Sequence, residues 1–489
     1  MKKEIQELEA IAKQLAPSAP LRANWNKEVQ AYADDFLDQI EILNAYDTVE
    51  DTGAVLPLQE QGRSMEEILP NLKQVVDRAG INPASGGHLG YVPGGGLFPS
   101  ALGDYLAAIT NRYAGLFYAS PGAVKISNDV LRWLCQLADY PASALGTLTS
   151  GGSIANLVAI TTARDSMEIK GPLIEKSVIY MSEQAHYCIL KALKVAGLLD
   201  VKVRNIPLDD ALRMRTDLLK DQLEEDRRQG LHPFMIIGSA GTTNTGAIDP
   251  LDDLADLAEE YATWFHVDGA YGAPFLLVEE VREKFKGIER SDSLVIDPHK
   301  GLFIPYGLGA VLVKDTEALY RSQFYTAGYL QDAFHEEVEL SPASLSPELS
   351  RHFRALRLWL PLQLFGIAPF RAALQEKLLL CQYFYHEAQK LGLELGPYPE
   401  LSVTIFRYVP PTGDANAFNQ DLIESIVQDG RIFLSSTTID GVFWIRLAVL
   451  NFRTHLREVD LCLELIAKYL ADSGTNVAPT QNTERQEKD

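Results

Sequence analysis

Apolar and polar positions follow different periods in different parts of the chain. Within residues 1–80, "IQELEAIAKQLA", "KEVQAYADDFLDQIEIL" and "MEEILPNLKQVVDRAG" place apolar residues three and four apart, which predicts amphipathic helices. No strand pattern lies among them, so these helices need an apolar surface elsewhere, on the main body or on a partner subunit. From about residue 100 the pattern becomes an alternation. Short β-branched runs at 178–181, 201–206, 234–241, 263–270, 293–297 and 309–313 read as strands. Between them "SIANLVAITTARDSM", "CILKALKVAGL" and "LDDLADLAEEYA" read as helices. This order predicts an α/β fold with a mainly parallel central sheet, whose ligands sit at the carboxyl ends of the strands.

Beyond about residue 350, "SPELSRHFRALRLWLPLQLFG" reads as a helix interrupted at Pro361, and "FRAALQEKLLLCQYFYHEAQKLG" as a second helix. Strand-like "LSVTIFRYV" and "VFWIRLAVL" follow, with one helix between them and another after. The expected organisation is an N-terminal helical segment (1–100), a large α/β domain (101–350), a small C-terminal α+β domain (351–471) and a disordered polar tail (472–489). There is no internal repeat.

Composition narrows the function classes. With 489 residues, 46% of them hydrophobic, the chain can bury more than one core. Lys+Arg number 44 against Asp+Glu 66, a formal net charge of -22, which argues against nucleic acid and anionic lipid as partners. Cys135, Cys188, Cys381 and Cys462 are widely spaced and form no CxxC pair, as expected of reduced thiols in a cytoplasmic protein. The opening residues lack the apolar core of a secretory leader, and no apolar run reaches the roughly 18 residues of a membrane span.

The candidate chemistry falls at strand ends. In "SDSLVIDPHKGLFIPYGLGAVLVKD", Lys300 lies between two apolar runs. A lysine is rarely buried unless paired, so it either leaves the turn for solvent or is held for its amine. In "TWFHVDGAYGAP", Asp268 and Ala270 are two apart and share a side. A carboxylate there caps a turn or meets a cation, and the small alanine leaves room for something flat. In "TLTSGGSIANLVAI", glycines permit close backbone approach. Ser153 can cap a helix whose first N–H groups suit one phosphate. The stretch is neither GxGxxG nor a P-loop. His186 in "MSEQAHYCIL", and Thr242, Thr243 and Asp249 in "GSAGTTNTGAIDP", each follow a strand. Singly these features are ordinary.

Together they form the set that pyridoxal phosphate requires. Its aldehyde needs a lysine, and its pyridine nitrogen a carboxylate. Its phosphate needs backbone donors, and its ring a flat partner on each face. A metal-dependent hydrolase is the competing class: His266-x-Asp268 and Asp297-x-His299 are each spaced to face one way towards a divalent ion. Lys300 beside His299 would compete with that ion, and the serine-glycine loop would lack a purpose.

The words "TSGGSIAN", "EQAH", "HVDGAYG" and "DPHKG", in this order, resemble the group II pyridoxal-phosphate-dependent amino-acid decarboxylases, over about residues 20–470. That family includes the aromatic L-amino-acid and glutamate decarboxylases. The resemblance implies a fold-type I α/β homodimer in which the N-terminal helices wrap the partner subunit. It makes Lys300 the lysine bound to the cofactor, Asp268 the carboxylate on the ring nitrogen, Ala270 the residue beneath the ring and His186 the ring stacked above it. Gly152 and Ser153, preceded by Gly151, match the phosphate loop; Thr243 and His299 match further pocket positions; Asp297 stands where relatives have Asn or Asp.

A mobile loop at about 324–345 is implied too, with Tyr329, or secondarily Tyr325, as the tyrosine that protonates the substrate carbon. Phe at that place marks aldehyde-forming relatives. Tyr91 and Pro93 match the substrate pocket of aromatic decarboxylases, whereas Val92 and Gly94–Gly96 replace larger or hydroxylated residues. The triple glycine either widens that pocket or presents backbone N–H groups to an anion. The expected reaction is decarboxylation of an L-amino acid, most readily an aromatic one, to the amine and carbon dioxide. An acidic or diamino-acid substrate, transamination and aldehyde synthesis are the alternatives.

Overall fold

Seven strands form the central sheet of the computed structural model, which describes residues 1–48, 53–325 and 338–474. In chain order they are β1 (Leu145–Thr149), β2 (Ser177–Ser182), β3 (Lys202–Ile206), β4 (His232–Ser239), β5 (Trp264–Asp268), β6 (Ser293–Ile296) and β7 (Gly309–Val313). The spatial order is β3-β2-β4-β5-β6-β7-β1. Neighbours pair in parallel from β3 to β6, while β7 runs antiparallel to both β6 and β1. All residues of β1, β2, β6 and β7 are buried, as expected of a sheet covered by helices on both faces. The carboxyl ends of β1, β2, β4, β5 and β6 therefore share one edge, where the amino end of β7 also lies.

The six predicted strands are present. The seventh, β1, reads "LGTLT": its glycine and two threonines give it no β-branched apolar run, and no strand is expected there. The helices Phe98–Thr110 and Pro121–Leu137 also had no separate prediction. Residues 346–355, expected to be helical, are not. They instead carry Arg351 and Arg354, which donate to Leu148 O of β1, and Arg354 pairs with Glu348 at 3.0 Å. The helix that follows, Leu356–Phe365, contains Pro361 without being interrupted by it, and the ring of Pro361 is buried.

A second sheet, β8 (Glu394–Leu395), β9 (Val403–Arg407), β10 (Ser435–Ile439) and β11 (Val442–Ala448), is antiparallel with the order β8-β9-β11-β10. The Ala368–Lys390 helix joins two cores: Phe370, Leu374 and Leu378 pack with the large sheet, whereas Leu380, Cys381 and Phe384 pack with the small one. The N-terminal helices Lys2–Ala12, Ala19–Gln39 and Met65–Leu72 contain no buried residue within the single chain. Most of the tail expected from residue 472 lies outside the described residues, as does the middle of the 324–345 loop.

The C-terminal segment fastens the chain that precedes the large sheet. Asn451 Nδ2 donates to Pro83 O and Ser85 O at 2.9 and 2.8 Å, and Arg453 Nη1 donates to Gly95 O at 2.6 Å. This explains two of the three consecutive glycines. A Cβ on Gly94 would lie 2.4 Å from His299 O, and one on Gly95, whose φ is +91°, would lie 2.1 Å from Asn451 Oδ1. Only Gly96 has space for a side chain, its nearest neighbour being 3.8 Å away. Close packing thus accounts for Gly94 and Gly95. Replacing Gly95 with Ala is expected to cost about 1–3 kcal/mol, read as a lowered urea midpoint with an unchanged slope.

Candidate active site

A cavity of about 400 Å³ opens at the shared carboxyl edge of the sheet. Each strand ending there delivers a side chain. β6 ends at Ile296, and Asp297 then starts the single helical turn Pro298–Gly301. That turn brings Lys300 back over Asp297, with Nζ 3.2 Å from Oδ2. Asp297 is buried, and among the described residues its Oδ1 has no hydrogen-bond partner. β5 delivers Asp268, whose Oδ1 accepts from the Ala270 N–H at 3.1 Å. Desolvation opposes the charge on Lys300, but Asp297 and Asp268 outweigh it and hold the amine above the ordinary lysine pKa. The question raised by this lysine is answered by geometry: it is partly buried and paired.

The wall opposite is the start of the Gly152–Ser166 helix, which follows β1 directly. A Cβ on Gly152 would come within 2.7 Å of Asp297 Oδ2 and 3.4 Å of the Ala270 Cβ, so only glycine lets the helix end sit this close. The cap differs from expectation. Gly151, whose carbonyl accepts from the N–H groups of Ile154 and Ala155, takes the N-cap position, and Ser153 lies exposed inside the first turn. The first N–H groups of this helix remain at the cavity wall, as an anion requires.

His186 follows β2, and its Nδ1 accepts from the Cys188 N–H at 3.3 Å. Burial lowers its pKa; Asp268 counteracts this and Lys300 adds to it. His299 donates from Nδ1 to Leu308 O at 2.7 Å. Thr243 lines the cavity, and its carbonyl accepts from Arg446 of β11. Arg446 also donates to Asn244 O at 3.0 Å and to Ser435 Oγ at 2.6 Å, and burial pushes its guanidinium down to about 10.

The ten residues expected around a cofactor, Gly151, Gly152, Ser153, His186, Thr243, Asp268, Ala270, Asp297, His299 and Lys300, all line this one cavity. Tyr91, Val92 and Pro93 line neither it nor the adjoining cavity of about 280 Å³, which shares His299 and Tyr306 with it. Tyr91 instead has a φ of +51°, is 56% exposed and packs its ring at a tilt against Phe433, with centroids 5.7 Å apart; it is their neighbours Gly94–Gly96 that reach the second cavity. Tyr329 lies outside the described residues, and Tyr325 is exposed. Asn156, Gln184 and Tyr306 line the cavity without having been predicted. Asn156 is one helical turn beyond Gly152, a spacing that could have flagged it. His266, two residues before Asp268, has both ring nitrogens hydrogen-bonded, which leaves neither for a metal.

The donor set fits pyridoxal phosphate. An amine, a carboxylate beside a small flat floor, a helix start and an imidazole surround one space, and among Lys300, Asp268 and Asp297 one negative charge is left for a cationic ring.

Comparison with known proteins agrees. The pyridoxal-dependent decarboxylase conserved domain matches residues 53–409. The aromatic-L-amino-acid decarboxylase of Bacillus atrophaeus is 36% identical over 410 residues, 82% of this chain and 85% of that protein. The phenylacetaldehyde synthase of Petunia hybrida is 29% identical over 432 residues, 84% of this chain and 85% of that protein. The crystal structure of Catharanthus roseus tryptophan decarboxylase in complex with L-tryptophan superposes with a TM-score of 0.86 at 24% identity, over 94% of this chain and 99% of that one. The chain belongs to the pyridoxal-dependent decarboxylase family.

Proposed function

We propose that this enzyme decarboxylates an aromatic L-amino acid to its amine and carbon dioxide. The observation that carries the reading is the convergence of Lys300, Asp268 and the Gly152–Ser166 helix start on one cavity with an apolar annex. When bound, pyridoxal phosphate supplies an aldehyde that takes up an amine and a protonated ring that accepts the electron pair left by the departing carboxylate.

The chain's own residues do the rest. Lys300 would hold the cofactor through its amine and give way to the amine of the substrate. Asp268 keeps the ring nitrogen protonated. Ala270 and His186 hold the two ring faces, and the backbone of Gly151, Gly152 and Ser153 takes the phosphate, with Thr243, Asp297 and His299 completing the pocket. Tyr329, which lies outside the described residues, is assigned the proton delivered to the substrate carbon, with Tyr325 as the second candidate.

The annex sets the choice of substrate. Its walls include Phe36, Val76, Ile81, Ile304 and Pro305, and among the described residues it has no lysine or arginine to meet an acidic side chain. The names of the Bacillus and Catharanthus relatives support the same class. A homodimer is proposed because Phe98, Leu102, Tyr105, Leu106 and Ile109 form one exposed stripe on a single helix, and the N-terminal helices bury nothing in the single chain. A cytoplasmic location is proposed from the four free, buried cysteines. No helix of the described residues is long and apolar enough to cross a membrane.

Assayed with L-tryptophan, L-tyrosine, L-glutamate and L-2,4-diaminobutyrate, the enzyme is expected to release amine and carbon dioxide in equal amounts, with kcat/KM at least about tenfold higher for an aromatic substrate. An aldehyde as main product, a keto-acid requirement, or preference for glutamate contradicts the proposal. Sedimentation is expected to give twice the 54.1 kDa chain mass, and Ile109→Glu to shift it towards the single chain.

A further inference from the structure

Asp268 is the terminus of a hydrogen-bonded chain running back into the core. Trp264, His266 and Asp268 alternate on one face of β5, and His266 stands opposite Ser293 of β6 in the sheet register. Trp264 Nε1 is 2.9 Å from Ser293 Oγ, which is 2.8 Å from His266 Nδ1. His266 Nε2 is 2.8 Å from Asn156 Oδ1, and Asn156 Nδ2 is 3.3 Å from Asp268 Oδ2. Asn156, His266 and Ser293 have no solvent exposure.

The bond directions are fixed at the Asn156 end and permitted at the other. Trp264 can only donate, so Ser293 Oγ accepts from it and keeps its own hydrogen available for His266 Nδ1. At the other end, Asn156 Nδ2 faces two groups that can only accept, the Asp268 carboxylate and the Gly152 carbonyl at 3.0 Å. Its amide is therefore oriented, and its Oδ1 receives a hydrogen from His266 Nε2. The Asn156 end thus demands a hydrogen on Nε2, and the neutral Nε2–H tautomer lets Ser293 Oγ donate to Nδ1. Burial also favours neutrality, pushing the His266 pKa down to about 4 although Asp268 opposes it. Asn156 thereby ties the helix start that faces the phosphate to the carboxylate that faces the ring.

We propose that Asn156 and His266 are positioning residues: neutral His266 locks the Asn156 amide, and Asn156 in turn fixes Asp268 Oδ2 for its bond to the ring nitrogen. This rests on the role of Asp268 proposed above. Without His266 the amide is free to turn its oxygen towards the carboxylate, and Asp268 loses a donor.

The test has an arm without cofactor and an arm with it. In the apoprotein, imidazole NMR is expected to show His266 as the Nε2–H tautomer, unprotonated down to about pH 5. An Nδ1–H tautomer or a protonated ring overturns the proposal. In the holoenzyme with isotope-labelled ring nitrogen, the wild type is expected to give a protonated nitrogen signal. His266→Leu is expected to shift that signal towards the unprotonated position and to weaken cofactor binding about tenfold. His266→Gln, which keeps a donor facing Asn156, is expected to hold both near wild type. An unmoved signal in His266→Leu, or an equal effect of Gln and Leu, overturns the proposal. Should His266→Leu fail to fold, Asn156→Ala provides the same comparison. An unprotonated ring nitrogen already in the wild type overturns the role of Asp268, and the proposal with it, whatever the tautomer of His266.

Discussion

An amine and two carboxylates held in one partly enclosed space are the constraint on which the rest of this structure depends. Charges removed from water are costly unless paired, and here three charged side chains are brought together where only one pair can cancel. The fold sustains this by supplying backbone and side-chain partners from all around. Asp268 accepts from Ala270 and Asn156, while Asp297 meets Lys300. The remaining negative charge makes the apoprotein's cavity complementary to a cationic ring. The same arrangement explains why the chain keeps glycine at the points of closest approach. At Gly309, the first residue of the antiparallel strand, a Cβ would lie 2.6 Å from Asp297 Oδ1.

Sheet topology delivers the charges to that spot. β5 and β6 are parallel neighbours, so Asp268 and Asp297 emerge side by side, and the antiparallel β7 returns the chain past them. β1, beyond β7, sends the Gly152–Ser166 helix back over β7 and β6, so a residue pair distant in sequence closes the opposite wall. The small domain contributes from outside through Arg446, which braces the Thr243–Asn244 backbone, and through Asn451 and Arg453, which hold the glycine segment at the mouth of the annex.

Much of this was legible in the sequence. Six strands announce themselves as runs of β-branched residues, and most site residues lie at their ends; singly these residues are ordinary, and it is the ordered set that points to the cofactor. What was not legible depends on contacts. β1 lacks an apolar run and becomes a strand by pairing with β7. Residues 346–355 carry a helical pattern, but their arginines are drawn to the backbone of β1. Tyr91 matches a substrate-pocket position, yet it has a positive φ, packs at a tilt against Phe433 and is exposed. The link between Asn156 and His266 spans 110 residues and joins two ordinary polar positions. Only the fold shows that each orients the other.

The charge of Asp268 is matched to a cationic ring. The most direct measurement is the equilibrium affinity of the apoprotein and of its Asp268→Asn variant for pyridoxal phosphate near neutral pH, followed by the visible absorbance of the bound cofactor. Loss of the charge, with the shape retained, is predicted to weaken binding by about tenfold to a hundredfold, through a lost charge-assisted hydrogen bond. Equal affinity in the two proteins would contradict it.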